Sequence, residues 1–180
     1  VDTGKGKIYY PIPRDRDQAF FYSDGAILKA VSDGTLPFLK GFRKDIPKVN
    51  WLGYTARDFD RIFLTDLDQG DWEKTIAEVQ QKISDSVIRA AVKKMPSEIF
   101  PIRGETIIKK MISRRDLLPK EAMSYYKFIS KKVNVMGSNQ REYFKVSNYG
   151  EGLQVKVYAR AKGNDTNFVM YNRIFNPSVT

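Results

Sequence analysis

The sequence predicts an α+β fold: a helical, loop-rich part over residues 1–132 with an N-terminal strand segment, then a three-stranded antiparallel meander over 133–180. Two observations carry that reading. From Asp71 to Val133 the apolar residues recur at helical spacing, as in Trp72, Ile76, Val79 and Ile83. Beyond residue 133 the period becomes two-fold, and the turn-forming stretches NYGEG and KGNDTN separate three β-prone runs. A chain of 180 residues that is 42% hydrophobic and 13% aromatic has the material for one ordinary domain with an appendage.

The elements follow in order. VDTGKG at 1–6 reads as a turn or linker, and Ile8 to Ile12 as a strand. SDG at 23–25 is a turn, Ala26 to Val31 is one or two helical turns, and SDG at 32–34 ends them. Thr35 to Thr55 is irregular, and Asn50 to Tyr54 within it reads as an ordered, packed loop. Ala56 to Phe63 places Phe59, Ile62 and Phe63 at helical spacing. Asp71 is the expected N-cap of the next helix, and Ser84 or Asp85 that of the one after. In the latter, Val87, Ile88, Ala91, Val92 and Met95 form the inward stripe and Pro96 stops it. GETIIKKMISRRDLL then turns Ile107, Ile108, Met111 and Ile112 inward, and Pro119 opens a further helix with Ala122, Met123, Tyr126, Ile129 and Val133 inward. The strands fall at 142–146, 153–160 and 168–175. Three strands barely sustain a sheet alone, so this one should pack on the helices or continue into further sequence.

Composition excludes several chemistries. Without Cys there is no disulfide or thiolate chemistry, and without His the commonest general base and metal ligand is missing. Carboxylate, Lys, Tyr and Ser/Thr chemistry remain. No apolar run approaches a membrane span, and no secretory signal is visible. The start at Val1 suggests an excised or processed piece. The formal net charge is +10, and residues 86–132 hold twelve Lys and Arg against four acids. That segment, with Lys109, Lys110, Arg114 and Arg115 at its centre, is either a phosphate- or anion-binding surface or the solvated face of several helices.

The stretch IYYPIPRDRDQAFF, residues 8–21, sets charges inside an apolar run. In a strand, Asp15 and Asp17 share one face about 6.5 to 7 Å apart, and Arg14 and Arg16 share the other. The aspartates are candidate ligands for a hard divalent cation such as magnesium, which favours carboxylate and phosphate oxygens. Otherwise they pair with Lys or Arg from the basic helices. Arg14 and Arg16 join the candidate anion-binding set. The pairs Asp58/Asp60 and Asp66/Asp68 read as ordinary turn and cap chemistry. GSNQ at 137–140 reads as a turn and Tyr125–Tyr126 as a packing pair.

YYPIPRDRDQAFF resembles the metal-binding strand of HipA- and CotH-type kinase-like folds, with Pro13, Asp15, Asp17 and Phe20 or Phe21 in register. A longer resemblance covers IPRDRDQAFF, FDRIFLTDLDQGDWEKTIAEVQ, LPKEAMSYYKFISKKVNVMGSNQREYFKV and YNRIFNP. These look like the central region of large Gram-negative outer-membrane proteins that combine a metallophosphoesterase with a BamA-like surface-antigen barrel. The resemblance implies a C-lobe-like helical part and a cell-envelope location. It implies partners in other domains of a parent chain, and magnesium with nucleotide or phosphate in the intact protein, but not nucleic acid. It also implies that the kinase-like catalytic loop lies upstream. This chain lacks a glycine-rich phosphate loop and an HRD-type motif, and DTGKGK at 2–7 does not follow the P-loop pattern. The expectation is therefore a non-catalytic interaction module carrying half of a metal–nucleotide site, in a parent that could be a phosphotransferase or phosphohydrolase. The alternative is a basic module for nucleic acid or for anionic lipid and phosphate groups.

Overall fold

The computed structural model describes residues 12, 19–22, 25–34, 36, 39–46, 48–64, 66–160 and 167–176. It is an α+β fold, with six α-helices and a three-stranded antiparallel sheet among those residues. The helices are α1 (Ala26–Gly34), α2 (Val49–Leu52), α3 (Arg57–Leu64), α4 (Gln69–Lys82), α5 (Asp85–Val92) and α6 (Glu105–Ile129). The strands β1 (Glu142–Tyr149), β2 (Gly152–Arg160) and β3 (Asn167–Phe175) lie in chain order across the sheet. The strand expected at Ile8–Ile12 falls almost entirely outside the described residues.

The centre of the fold is the contact of α5 with α6. Ile88 and Val92 meet Ile107 and Ile108, and Ile88 and Ile108 are almost completely shielded. Phe42, Met95, Phe100, Met111 and Ile112 close over this cluster. Burying each such side chain contributes about 1.5 to 3 kcal/mol before entropy is counted. Val87 and Ala91 of the expected α5 stripe are exposed; Ile88 and Val92, one turn apart, are the α5 residues buried against α6.

Three local expectations change. Asp68, not Asp71, caps α4. Its carboxylate accepts from the Asp71 N–H at 2.9 Å, and the Asp71 carboxylate accepts from the Asp68 N–H at 3.0 Å. Asp71 is thus the inner half of a reciprocal capping box, which satisfies two end donors rather than one. Asn50 to Tyr54 is a helical turn and bend rather than a packed loop, and Trp51 and Tyr54 are exposed. Pro119 opens no new helix; it lies inside the 25-residue α6. A proline has no N–H for the carbonyl four residues back, here Arg115. The Gln80 side-chain amide of α4 donates to that carbonyl at 2.9 Å, so the helix continues with its freed acceptor satisfied. Ser84 caps α5 as one of the two expected residues.

The β1–β2 hairpin pairs Tyr149 with Gly152 across Gly150 and Glu151. Gly150 has a φ of 57°, and no other residue of this turn has positive φ, as in a type II′ turn with glycine first. β3 carries an irregularity opposite Val157 and Tyr158, where Met170 is the extra residue. Val157 and Ala159 are buried, and the Arg173 guanidinium donates to the Leu67 carbonyl at 3.2 Å, so the centre of that face turns to the helices, while Phe144, Val146, Leu153 and Phe168 on the same face stay exposed.

Candidate functional site: a basic cleft beside α6

α6 carries its chemistry by spacing. Thr106, Lys109, Lys110 and Ser113 stand at i, i+3, i+4 and i+7, which makes them one polar stripe. Opposite that stripe runs the segment 39–46. Phe42 anchors it by packing against the core cluster. Arg114 clamps it, donating from Nε to the Arg43 carbonyl at 2.9 Å and from Nη2 to the Asp45 carbonyl at 3.2 Å. The Arg114 guanidinium also sits over the Phe42 ring, 4.5 Å from its centroid. Partial burial pushes its pKa down against the opposing pull of Asp45, yet a guanidinium remains charged.

Between these walls lie two adjoining hollows that share Arg43 and Lys110. One, of about 310 Å³, is lined by Tyr22, Lys29, Ser32, Lys40, Gly41, Phe42, Arg43 and Lys110. The other, more open and about 750 Å³, is lined by Arg43, Lys44, Asp45, Thr106, Lys109, Lys110 and Ser113. Lys110 stands at the join. Its Nζ donates to the Phe42 carbonyl at 2.7 Å and lies 5.5 Å from the Tyr22 ring centroid. Arg103 covers Tyr22 at 4.2 Å. Among the described residues the lining is rich in N–H and O–H donors and holds one carboxylate, that of Asp45. Such a wall suits an acceptor-only ligand, above all a phosphate.

The sequence candidates divide. Lys109 and Lys110 line the cleft, and Arg114 holds its wall in place. Arg115 points round the helix to the α4–α5 corner. There it bonds Asp85 at 2.6 Å, Asp116 at 2.8 Å and the Ile83 carbonyl at 3.1 Å. Its pKa is raised, first by the Asp116 hydrogen bond and then by Asp85. Arg14, Asp15, Arg16 and Asp17 lie outside the described residues. Their downstream neighbours do not: Phe20 meets Phe42 edge-on at 5.1 Å, and the Phe42 N–H donates to the Phe21 carbonyl at 2.6 Å. Among the described residues no three acidic side chains converge as metal ligands.

Sequence reasoning missed the far wall. Lys29, Lys40, Arg43 and Lys44 line the hollows, but the charge count centred on 86–132 passed them over. The signal was present in LKGFRKDIPK at 39–48, where four cations accompany one acid.

The chain matches no family model, no curated protein and no solved structure. Function must therefore be argued from the chemistry of the cleft itself. No described helix is long and apolar enough to cross a membrane.

Proposed function

We propose that this chain is a non-catalytic interaction module of a larger protein, and that its cleft between α1, the segment 39–46 and α6 receives a phosphate-type anion. The observation that carries the proposal is the placement of Lys110. An ammonium has three N–H donors, and the Phe42 carbonyl takes one of them at the point where both hollows meet. Lys109, Thr106 and Ser113 offer further donors along the same helix stripe.

A second reading extends the first, on the strength of the Phe20–Phe42 and Phe21–Phe42 contacts. They bring the residues that follow PRDRD in sequence to the Phe42 wall. In this reading Asp15 and Asp17 hold magnesium on the phosphates of a nucleotide, and Arg14 and Arg16 add anion contacts. The kinase-like catalytic loop and the cell-envelope setting would then belong to the parent protein.

Calorimetric titration of the 180-residue chain with inorganic phosphate, ATP and magnesium–ATP at low salt tests both. The double substitution Lys109→Ala with Lys110→Ala should weaken every phosphate species by at least about tenfold, the scale of one lost charge-assisted hydrogen bond. Wild-type affinity in that variant, or no phosphate binding by the wild type, would end the cleft reading. Magnesium should tighten ATP binding in the wild type and do so less in Asp15→Ala and Asp17→Ala. An unchanged magnesium increment in both variants would remove the aspartate role and leave the cleft standing.

A further inference from the structure

The outer face of the C-terminal sheet has a composition that folding alone does not explain. Side chains alternate along a strand. With Val157 and Ala159 turned to the helices, Tyr143, Lys145 and Tyr149 of β1 face outward. They are joined by Gln154, Lys156 and Tyr158 of β2, and by Val169, Asn172 and Ile174 of β3. Lys145 stands directly opposite Lys156 in the register. Like charges in that position destabilise a sheet. Among the described residues of the sheet the nearby carboxylates do not relieve them: Glu142, the one acid within the strands, faces the other way and accepts from the Ser138 N–H, and Glu151 lies in the hairpin turn.

The surroundings of the lysine pair are apolar and aromatic. Tyr143 and Tyr158 touch across the strands with ring centroids 6.1 Å apart. Tyr143 is 57% exposed, Tyr149 57%, Val169 51% and Ile174 47%. Tyrosines, lysines and aliphatic side chains on one open face are the residue types that meet the headgroup layer of a bilayer. There the rings sit among the headgroups and the ammonium groups meet anionic lipid.

We infer that this outer sheet face, independently of the α6 cleft, docks on an anionic lipid headgroup plane. A single-stranded nucleic acid fits it less well. Bases need free ring faces to stack on; Tyr149 offers one, but Tyr143 and Tyr158 tilt against each other, and Val169 and Ile174 gain nothing from such a partner. The occupant supplies the counter-charge that no described residue gives Lys145 and Lys156, and covers the exposed aliphatic residues beside them.

Partitioning of the full 180-residue chain onto vesicles tests this. One set holds phosphatidylcholine with about a third phosphatidylglycerol, the other phosphatidylcholine alone. The wild type should bind the anionic vesicles and not the neutral ones, and binding should fall with salt. Lys145→Gln with Lys156→Gln should lower the partition coefficient about 25-fold, near fivefold for each lysine. It should leave phosphate binding in the cleft unchanged. Lys93→Gln with Lys94→Gln, which removes the same charge from exposed positions after α5, should cost far less. Equal losses in the two double variants would show general charge attraction and overturn the proposal. So would equal binding to both vesicle types, or no binding to either. Wild-type binding to a single-stranded oligonucleotide that the sheet variant abolishes, with vesicle binding intact, would likewise overturn it.

Discussion

At the residue scale, Tyr125 shows how one hydroxyl joins three elements. It lies 2.5 Å from an Asp60 carboxylate oxygen on α3 and 3.1 Å from the carbonyl of Gly53, just after α2. A Cβ at position 53 would overlap the Tyr125 ring, so only glycine allows that approach. Gly53→Ala should therefore cost about 1 to 3 kcal/mol in urea denaturation, by forcing the ring aside. Burial first, and the Asp60 hydrogen bond second, raise the Tyr125 pKa above its ordinary value of 10. On rising pH the unfolded chain then loses this proton before the folded chain does. The stabilisation is complete below about pH 10 and is lost above it. Tyr125→Phe should lower stability near pH 8 by about 1 to 2 kcal/mol and flatten the alkaline decline. Tyr171, also raised by burial, leaves a residual slope. Parallel declines in wild type and variant would mean that Tyr125 does not drive the alkaline loss. None of this was legible beforehand, since a tyrosine pair in a helix announces packing and not which ring meets a carboxylate 65 positions away.

At the element scale, the stretch of α6 before Pro119 ties three helices together by hydrogen bonds. Pro119 frees the Arg115 carbonyl, Gln80 satisfies it from α4, and the Arg115 side chain ties the Asp85 end of α5 to the same place. Gln80→Ala should cost about 1 to 3 kcal/mol by leaving a carbonyl without its donor. In a Pro119→Ala background the helix supplies its own N–H, and the cost of Gln80→Ala should shrink well below that. A double-mutant cycle measures the difference; additive losses would show that Gln80 acts independently of the proline. Element types were readable from the sequence because hydrophobic period distinguishes helix from strand, and the three strands stand where the alternation put them. The continuity of α6 was not readable. A proline ends or opens a helix unless something else serves the orphaned carbonyl, and here that group comes from 35 residues away.

At the scale of the whole molecule, the helices own the core and the sheet leans on it. The tightly packed cluster is formed by Ile88, Val92, Ile107 and Ile108, all helical. Arg173 is the sheet's polar tether, reaching the Leu67 carbonyl beside a small hollow lined by Arg61, Leu64, Ile129, Ser130 and Val133. Arg173→Ala should reduce hydrogen-exchange protection in β1–β3 while α5 and α6 keep theirs; uniform loss across all elements would show one indivisible unit. The basic cleft was half legible, since Lys109 and Lys110 declared themselves by charge density. Its far wall showed as charge in LKGFRKDIPK, but its placement against α6 by Phe42 and Arg114 depended on tertiary packing. α6 itself has a mechanical consequence. Its first half carries the cleft, its last turn carries Tyr126 and Ile129 beside the sheet, and the Pro119 joint lies between them. Ten residues separate Pro119 from Ile129, about 15 Å of helix, so each ten degrees of bend moves the far end by roughly 2.5 Å. Gln80 braces α6 one turn before the proline, so any bend there would change the spacing between the cleft end and the sheet end of the rod.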